Sequence, residues 1–347
     1  MSFTLPARHQ DRPVAVIGAG TLGRRIALMF ATRGGLVRIY DPAAEAGEAA
    51  CAYVARELPE VVKTIDGGRP GTVEAVTDLT PALADAWLVV EAVPERLDLK
   101  RRLFADLDAL AEPDAVLASN SSSYATSHLV DSVRTPERLL NLHFYMPPRQ
   151  NAADVMSCGH TDPGVVELLL KVLPDYGIHP FEARRESTGF IFNRVWAAMK
   201  RESLAVVAEG VSTPADIDRM WQVNTGASAG PFRLMDAIGL DVVLDIENHY
   251  AAERPGLPEG PARCCGSTWT RTVSASRPAP ASTTTTSGRA DGRPGAGGHV
   301  PFGRNHHLQG AVRAQVTHQT PAGHGRRTHR QRARALRRAR LPRHVDQ

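Results

Sequence analysis

The feature that most constrains this chain is the run from Arg12 to Asp41, RPVAVIGAGTLGRRIALMFATRGGLVRIYD. A short apolar segment turns there on glycines into a helical pattern and returns to a second apolar segment. Strand, helix and strand in that order make a βαβ unit with parallel strands. Gly18, Gly20 and Gly23 stand at its first turn as G-x-G-x-x-G. The first permits the tight turn, the second lets the backbone approach a pyrophosphate, and the third lets the helix pack on the strand. The helix N-terminus then faces the phosphates with its free N–H groups. A glycine-rich turn alone is weak evidence, but here the strand, the helix and an acid at the end of the second strand agree. Asp41 is placed to accept hydrogen bonds from the adenosine ribose hydroxyls, and its charge repels a 2′-phosphate, which favours NAD over NADP.

Further strand-like runs follow at AWLVVEAVPE, AVLASNSSS and RLLNLHFYMPP, separated by helical patterns such as LDLKRRLFADLDALA. After YGIHPFEARRES the strands stop and the pattern turns helical: GFIFNRVWAAMKRESLAVVAEG, then TPADIDRMWQV, then GPFRLMDAIGLDVVLDIENHYAAE. Thr213 and Pro214 suit the N-cap and first position of the second of these helices. The expected fold class is α/β: a Rossmann-like, doubly wound NAD-binding domain over residues 12–185, an all-α domain that is incomplete over 186–262, and a disordered tail over 263–347.

The tail differs from the rest in composition. Residues 263–347 hold sixteen Arg and no Lys or Glu, with Asp291 and Asp346 their only acids, a net charge of +14. Since the whole chain carries +4, the preceding residues carry −10. The acidic first part therefore has no electrostatic footprint for nucleic acid or an anionic membrane. Cys51, Cys158, Cys264 and Cys265 show neither a disulfide framework nor metal-ligand spacing, so no metal is expected and a reducing cytoplasm is the simplest location. The first thirteen residues lack the apolar stretch of a signal peptide, and no later run reaches the length of a membrane span.

Several motifs, in order, resemble the L-3-hydroxyacyl-CoA dehydrogenase family: VIGAGTLG, EAVPERLDLK, ASNSSS, HFYMPP, STGFIFNR, EGVSTPADID and GPFRLMDAIGLD, together covering roughly Pro13 to Gly260. The resemblance makes His143 the catalytic histidine, Ser122 the serine of S-N-T-S-S (here S-N-S-S-S) and Asn193 the asparagine of G-F-I-x-N-R. It places Glu95, Lys100 and Asn120 at cofactor-binding positions. It also implies a carboxylate behind the histidine, usually a glutamate; here Asp154 in NAADVM takes that place, one methylene shorter. Met146 stands at the usual Asn of H-F-F-N-P, which bears on substrate scope.

The chemistry suits these residue types. Oxidising a secondary alcohol requires a group that accepts the hydroxyl proton as hydride leaves, and a neutral histidine does this near neutral pH. Ser122 and Asn193 would hydrogen-bond the oxygen as it becomes a ketone. Taken singly, these residues have plainer uses. A histidine beside a strand often packs or faces water, a serine triplet caps a helix, and an asparagine near a helix start bonds backbone. The resemblance implies NAD-dependent oxidation of L-3-hydroxyacyl-CoA to 3-ketoacyl-CoA, in fatty-acid β-oxidation or short-chain acyl-CoA metabolism. Two other readings stay open: an inactive NAD-binding remnant, and a dehydrogenase of a non-CoA hydroxy acid like the gulonate and carnitine dehydrogenases. The expected partner is an acyl-CoA substrate. A homodimer is implied by the family, against which the incomplete helical domain counts.

The family continues with a stretch of the type L-G-x-K-x-G-x-G-F-Y-x-Y, absent here. Arg263 to Thr270 can be written CGC TGC TGC GGG AGT ACG TGG ACG, and one base earlier than the first Cys codon the same bases encode Leu-Leu-Arg-Glu-Tyr-Val-Asp. Continued through Thr286, that frame permits Leu-Gly-Val-Lys-Thr-Gly-x-Gly-Phe-Tyr-Asp-Tyr. The chain from about Arg263 therefore reads as translated in a shifted frame of GC-rich DNA. The competing reading, a basic arm in which HRQRARALRRARL binds a polyanion, needs only the charge. Without the closing segment, apolar side chains such as Leu234, Ile238, Leu240 and Val243 are expected to have less surface to pack against.

Overall fold

A computed structural model describes residues 3–253. Eight strands, β1 (Val14–Ile17), β2 (Leu36–Tyr40), β3 (Thr72–Val76), β4 (Leu88–Glu91), β5 (Val116–Ser119), β6 (Leu139–Met146), β7 (Gln150–Ser157) and β8 (His179–Ala183), form one sheet. Their order is β3-β2-β1-β4-β5-β6-β7-β8. The first six pair in parallel, β7 turns back antiparallel to β6, and β8 lies parallel to β7. Helices α1 (Thr21–Phe30), α2 (Ala44–Val62), α3 (Leu79–Leu83), α4 (Leu97–Leu110) and α5 (Pro163–Val172) cover the two faces.

Alternate residues of one strand feed opposite layers, as the period of two requires. Val14 and Val16 pack with Ile26, Val54 and Leu169 from α1, α2 and α5, whereas Ala15 and Ile17 pack with Leu83, Phe104 and Leu107 from α3 and α4. Burial on both faces explains why β1, β4 and β5 read as near-continuous apolar runs. Strand order reverses between β1 and β4, and ligands of such sheets bind in the crevice at the carboxyl ends of strands flanking that point. The expected strands are all present. Three more lie where no clear apolar run stands: β3 and β8 are sheet edges with mostly uncovered side chains, and β7 opens with the polar Gln150 and Asn151.

Beyond the sheet come α6 (Phe192–Ala208), α7 (Pro214–Thr225), α8 (Pro231–Ile238) and α9 (Leu240–Glu253). Thr213 is the N-cap of α7, its hydroxyl accepting from the Asp216 N–H at 3.2 Å, and Pro214 is the first helical residue. The carboxylate of Asp218 in α7 caps α8 by accepting from the N–H groups of Phe232 and Arg233 at 2.8 and 2.9 Å. Gly239, at φ 103°, splits the expected third helical segment into α8 and α9. The four helices bury Leu204, Phe232, Met235 and Val243 together, with Trp196, Ile217 and Leu240 packed around them. Lys200 and Arg201 of α6 meet opposite oxygens of Glu247 in α9 at 3.2 and 3.1 Å.

The expected loss of packing holds for two side chains and fails for two. Leu234 and Ile238 are 42% and 45% exposed, but Val243 is fully buried and Leu240 packs on the small core. The break at Gly239 brings Leu240 and Val243 of α9 into one cluster with Phe232 and Met235 of α8, which the sequence pattern of one continuous helix did not contain. The end of the helical domain and the tail, including the shifted-frame segment, lie outside the described residues.

Candidate active site

Each glycine of the first turn has its own steric reason. A Cβ on Gly18, which sits at φ 109°, would lie 2.7 Å from the Ala92 carbonyl oxygen, and one on Gly23 would lie 1.8 Å from the Gly18 carbonyl oxygen. Gly20 has no atom within 4 Å of where its Cβ would stand, so the turn is open on the side a pyrophosphate would occupy. Asp41 follows β2. One carboxylate oxygen accepts from the Ala19 N–H at 2.9 Å and the other from the Ala43 N–H at 3.0 Å, which holds the acid against the turn. A cleft beside it is lined by Asp41, Gly47, Glu48, Ala75, Thr77 and Asp78. The open turn, the fixed carboxylate and an acidic rim fit an unphosphorylated adenosine ribose.

Lys100 and Glu95 belong to a buried charge cluster at the carboxyl ends of β4 and β5. The Lys100 ammonium, 1% exposed, lies 2.6 Å from Glu91 and 3.1 Å from Glu95. Glu91 is fully buried and also accepts from the Ser119 hydroxyl at 2.6 Å and the Val93 N–H at 2.8 Å. Glu95 accepts from the Ser121 hydroxyl and from the Ser123 N–H. Burial pushes the Glu95 carboxyl up, but Lys100 and the two serines outweigh it and hold the group below its ordinary value. Lys100 thus offers a ligand no open face; it fixes Glu95, which remains about one-third exposed.

His143 lies on β6 directly opposite Asp154 on β7 in the antiparallel register. Its Nδ1 is 3.1 Å from Asp154 Oδ2, with both side chains buried. A carboxylate accepts only, so Nδ1 carries the proton, and in the neutral ring Nε2 presents its lone pair. Direct cross-strand pairing brings the Cβ atoms within about 5.5 Å, so the shorter aspartate reaches the ring. The pocket in front of the histidine is lined by Leu22, Asn120, Ser122, Tyr145, Met146, Gln150 and Asn193. Asn120 also accepts from the Phe144 N–H at 2.8 Å, tying the end of β5 to β6.

Sequence reasoning brought His143, Asp154, Ser122, Asn193 and Asn120 to this place and missed three of its neighbours. Phe190 stacks on the imidazole at 4.7 Å with an interplanar angle of 6°. Tyr145 stands edge-on to the same ring at 4.8 Å and donates its hydroxyl to Asp154 Oδ2 at 2.6 Å. Glu91 was hidden in an apolar run. Only Tyr145 left a readable signal, since residues i and i+2 of a strand share a face.

A dinucleotide turn and a carboxylate-backed base opening on one crevice are what alcohol dehydrogenation needs, and together they define a nicotinamide-dependent dehydrogenase. Comparison with known proteins narrows the class. Residues 13–186 match the NAD binding domain of 3-hydroxyacyl-CoA dehydrogenase and residues 189–269 match its C-terminal domain. The chain belongs to the 3-hydroxyacyl-CoA dehydrogenase family, and its cofactor is NAD. It is 34% identical over 255 residues to a 3-hydroxyadipyl-CoA dehydrogenase of Escherichia coli, covering 71% of this chain and 54%, about half, of that one. It is 30% identical over 241 residues to a 3-hydroxybutyryl-CoA dehydrogenase of Clostridioides difficile, covering 68% and 85%. Among solved structures, a diketoreductase acting on dicarbonyl compounds superimposes with a TM-score of 0.68 at 29% identity, over 77% of this chain and 95% of that one.

Proposed function

We propose that the protein oxidises the 3-hydroxyl group of an L-3-hydroxyacyl-CoA thioester to a 3-keto group. The observation that carries this reading is the His143–Asp154 pair, whose free Nε2 opens on the pocket shared by Ser122 and Asn193. His143 Nε2 takes the hydroxyl proton and becomes imidazolium, which the Asp154 carboxylate stabilises. Ser122 and Asn193 donate to the oxygen as its bond to C3 becomes double. Bound NAD would supply the acceptor for the C3 hydrogen and its electron pair. Gly18, Gly20 and Gly23 would hold its pyrophosphate, Asp41 its adenosine ribose, and Glu95, kept in place by Lys100, would with Asn120 line its nicotinamide half. Such a step serves β-oxidation or short-chain acyl-CoA metabolism, and we place it in the cytoplasm. No helix among the described residues is long and apolar enough to cross a membrane.

Met146 in the pocket wall and the likeness to a diketoreductase favour a second reading, a substrate without CoA. Side-by-side assays with 3-hydroxybutyryl-CoA, free 3-hydroxybutyrate, carnitine and gulonate decide between them. We expect NAD-dependent turnover of the thioester and tighter binding of NAD than NADP. Replacing His143→Gln should lower kcat by about 10²–10⁴ with the NAD Kd unchanged. Turnover of a free acid alone overturns the thioester reading, and NAD binding without any turnover marks an inactive remnant.

A further inference from the structure

Tyr145 joins two parts of the site that the reaction as derived above treats separately. Its hydroxyl donates to Asp154 Oδ2, the same oxygen that receives His143 Nδ1. Phe192 opens α6 and stands next to Asn193. Its ring meets His143 edge-on at 4.8 Å and Phe192 at 5.5 Å and 90°. Tyr145 is therefore the one side chain described here that touches the carboxylate, the imidazole and the helix start carrying Asn193.

We propose that Tyr145 is a positioning residue that locks the His143–Asp154 pair to the N-terminal turn of α6, so that the proton acceptor and Asn193 address the same substrate oxygen. The bond does two things. It holds one oxygen of the short aspartate in line with Nδ1, and it draws part of the carboxylate's negative charge away from the imidazole. Burial, with the Asp154 hydrogen bond and charge added, pushes the phenol far above its ordinary value, so Tyr145 stays a donor across the working pH range. Among the described residues, the titratable groups facing the His143 ring are Asp154 from β7 and Tyr145 from β6. Phe190 covers one ring face, and Ser122 and Asn193 are neutral.

The proposal rests on the reading of His143 as proton acceptor, so its test includes a measurement that needs no substrate. Tyr145→Phe keeps both ring contacts and removes only the hydroxyl. By NMR, the His143 Nδ1 proton in the intact protein should change its chemical shift and exchange faster with water, because Asp154 is then held by one partner fewer. With 3-hydroxybutyryl-CoA, kcat should fall about tenfold while the NAD Kd stays within about twofold. In an Asp154→Asn background the same substitution should cost less than about twofold, since residues acting through one another are not additive. An unchanged Nδ1 proton signal, or losses that multiply in the double variant, overturns the positioning role. A changed Nδ1 proton signal in a protein that turns over no thioester supports that role and overturns the substrate reading instead.

Discussion

The Rossmann-like half and the helical half are built from the same alphabet but close on themselves to different degrees. The first half places two layers of apolar side chains on its sheet and seals even its charges: Lys100, Glu91, Asp108 and Arg138 are almost fully buried and mutually paired. In the second half, the described helices bury four apolar side chains together. They leave Phe192, Val195, Met220 and Val223 between 56% and 77% exposed. A parallel sheet satisfies its backbone internally and offers two faces to cover. A layer of four short helices has one interior stripe, and whatever lies outside it needs a further partner. The half that binds the cofactor should therefore be the more self-sufficient.

The largest test of this difference is a pair of cavity substitutions. Phe104→Ala and Phe232→Ala each remove a buried ring and should each cost about 3–5 kcal/mol. The costs should fall in different places. Phe104 lies under the sheet beside β4 and β5, so its loss should weaken NAD binding along with stability. Phe232→Ala should expose the amides of α6 to α9 to fast hydrogen exchange while the NAD Kd stays within about twofold. Equal losses of NAD affinity would show that the two halves unfold as one unit and would break the comparison.

The two halves were also unequally legible. The glycine turn, Asp41 and the strands around β1 were readable because each follows from a local rule: a period, a forbidden Cβ, an acid at a strand end. Thr213 and Pro214 were readable for the same reason. Glu91 was not, because an acid inside LVVEA looks like a strand end until Lys100, nine residues on, is known to fold back over it. The stacking of Phe190 on His143 depends on the consecutive left-handed residues Gly189 and Phe190, at φ 78° and 50°. Nothing local in the sequence sets the second of these. The break at Gly239 and the burial of Val243 likewise depend on how α9 packs with α6 and α8, a tertiary choice that a continuous helical pattern conceals.

A second, smaller effect should come from the reading frame. If the codons from Arg263 are restored by one base, the encoded segment regains an amphipathic helix and the glycine-rich stretch. Exposed apolar side chains of the helical half would then have a partner. Covering even about 100 Å² of that surface is worth about 2.5 kcal/mol, so thermal unfolding of the restored chain should occur at least several degrees higher. Hydrogen exchange should slow in α6 to α9 and change little in β1, β4 and β5. A restored chain with the same Tm and the same exchange pattern would mean that the missing stretch does not supply the contact the helical half lacks.

The smallest effect concerns acid. Three carboxyls of the Rossmann-like half are held below their ordinary values. For Glu95 and Asp108, burial opposes the charged form but cationic and backbone donors outweigh it; for Asp114, the hydrogen bonds from Arg12 dominate over partial burial. A group whose value is depressed in the folded state contributes stability that is present above its unfolded value, about 3.9 for aspartate, and is lost as the pH falls through the folded value. Asp114 gives the cleanest readout. It receives both arms of the Arg12 guanidinium at 2.7 and 2.9 Å, yet Arg12 also donates to the carbonyls of Asp85 and Ala86 and would not be stranded by its removal. Asp114→Asn should therefore cost only about 1 kcal/mol at neutral pH. In urea titrations the gap between the variant and the parent should close progressively below about pH 4, as the parent's own carboxyl takes up its proton. A gap of the same size at pH 3 and pH 7 would show that Asp114 contributes packing and not charge, and that acid does not act on the first half through this pair.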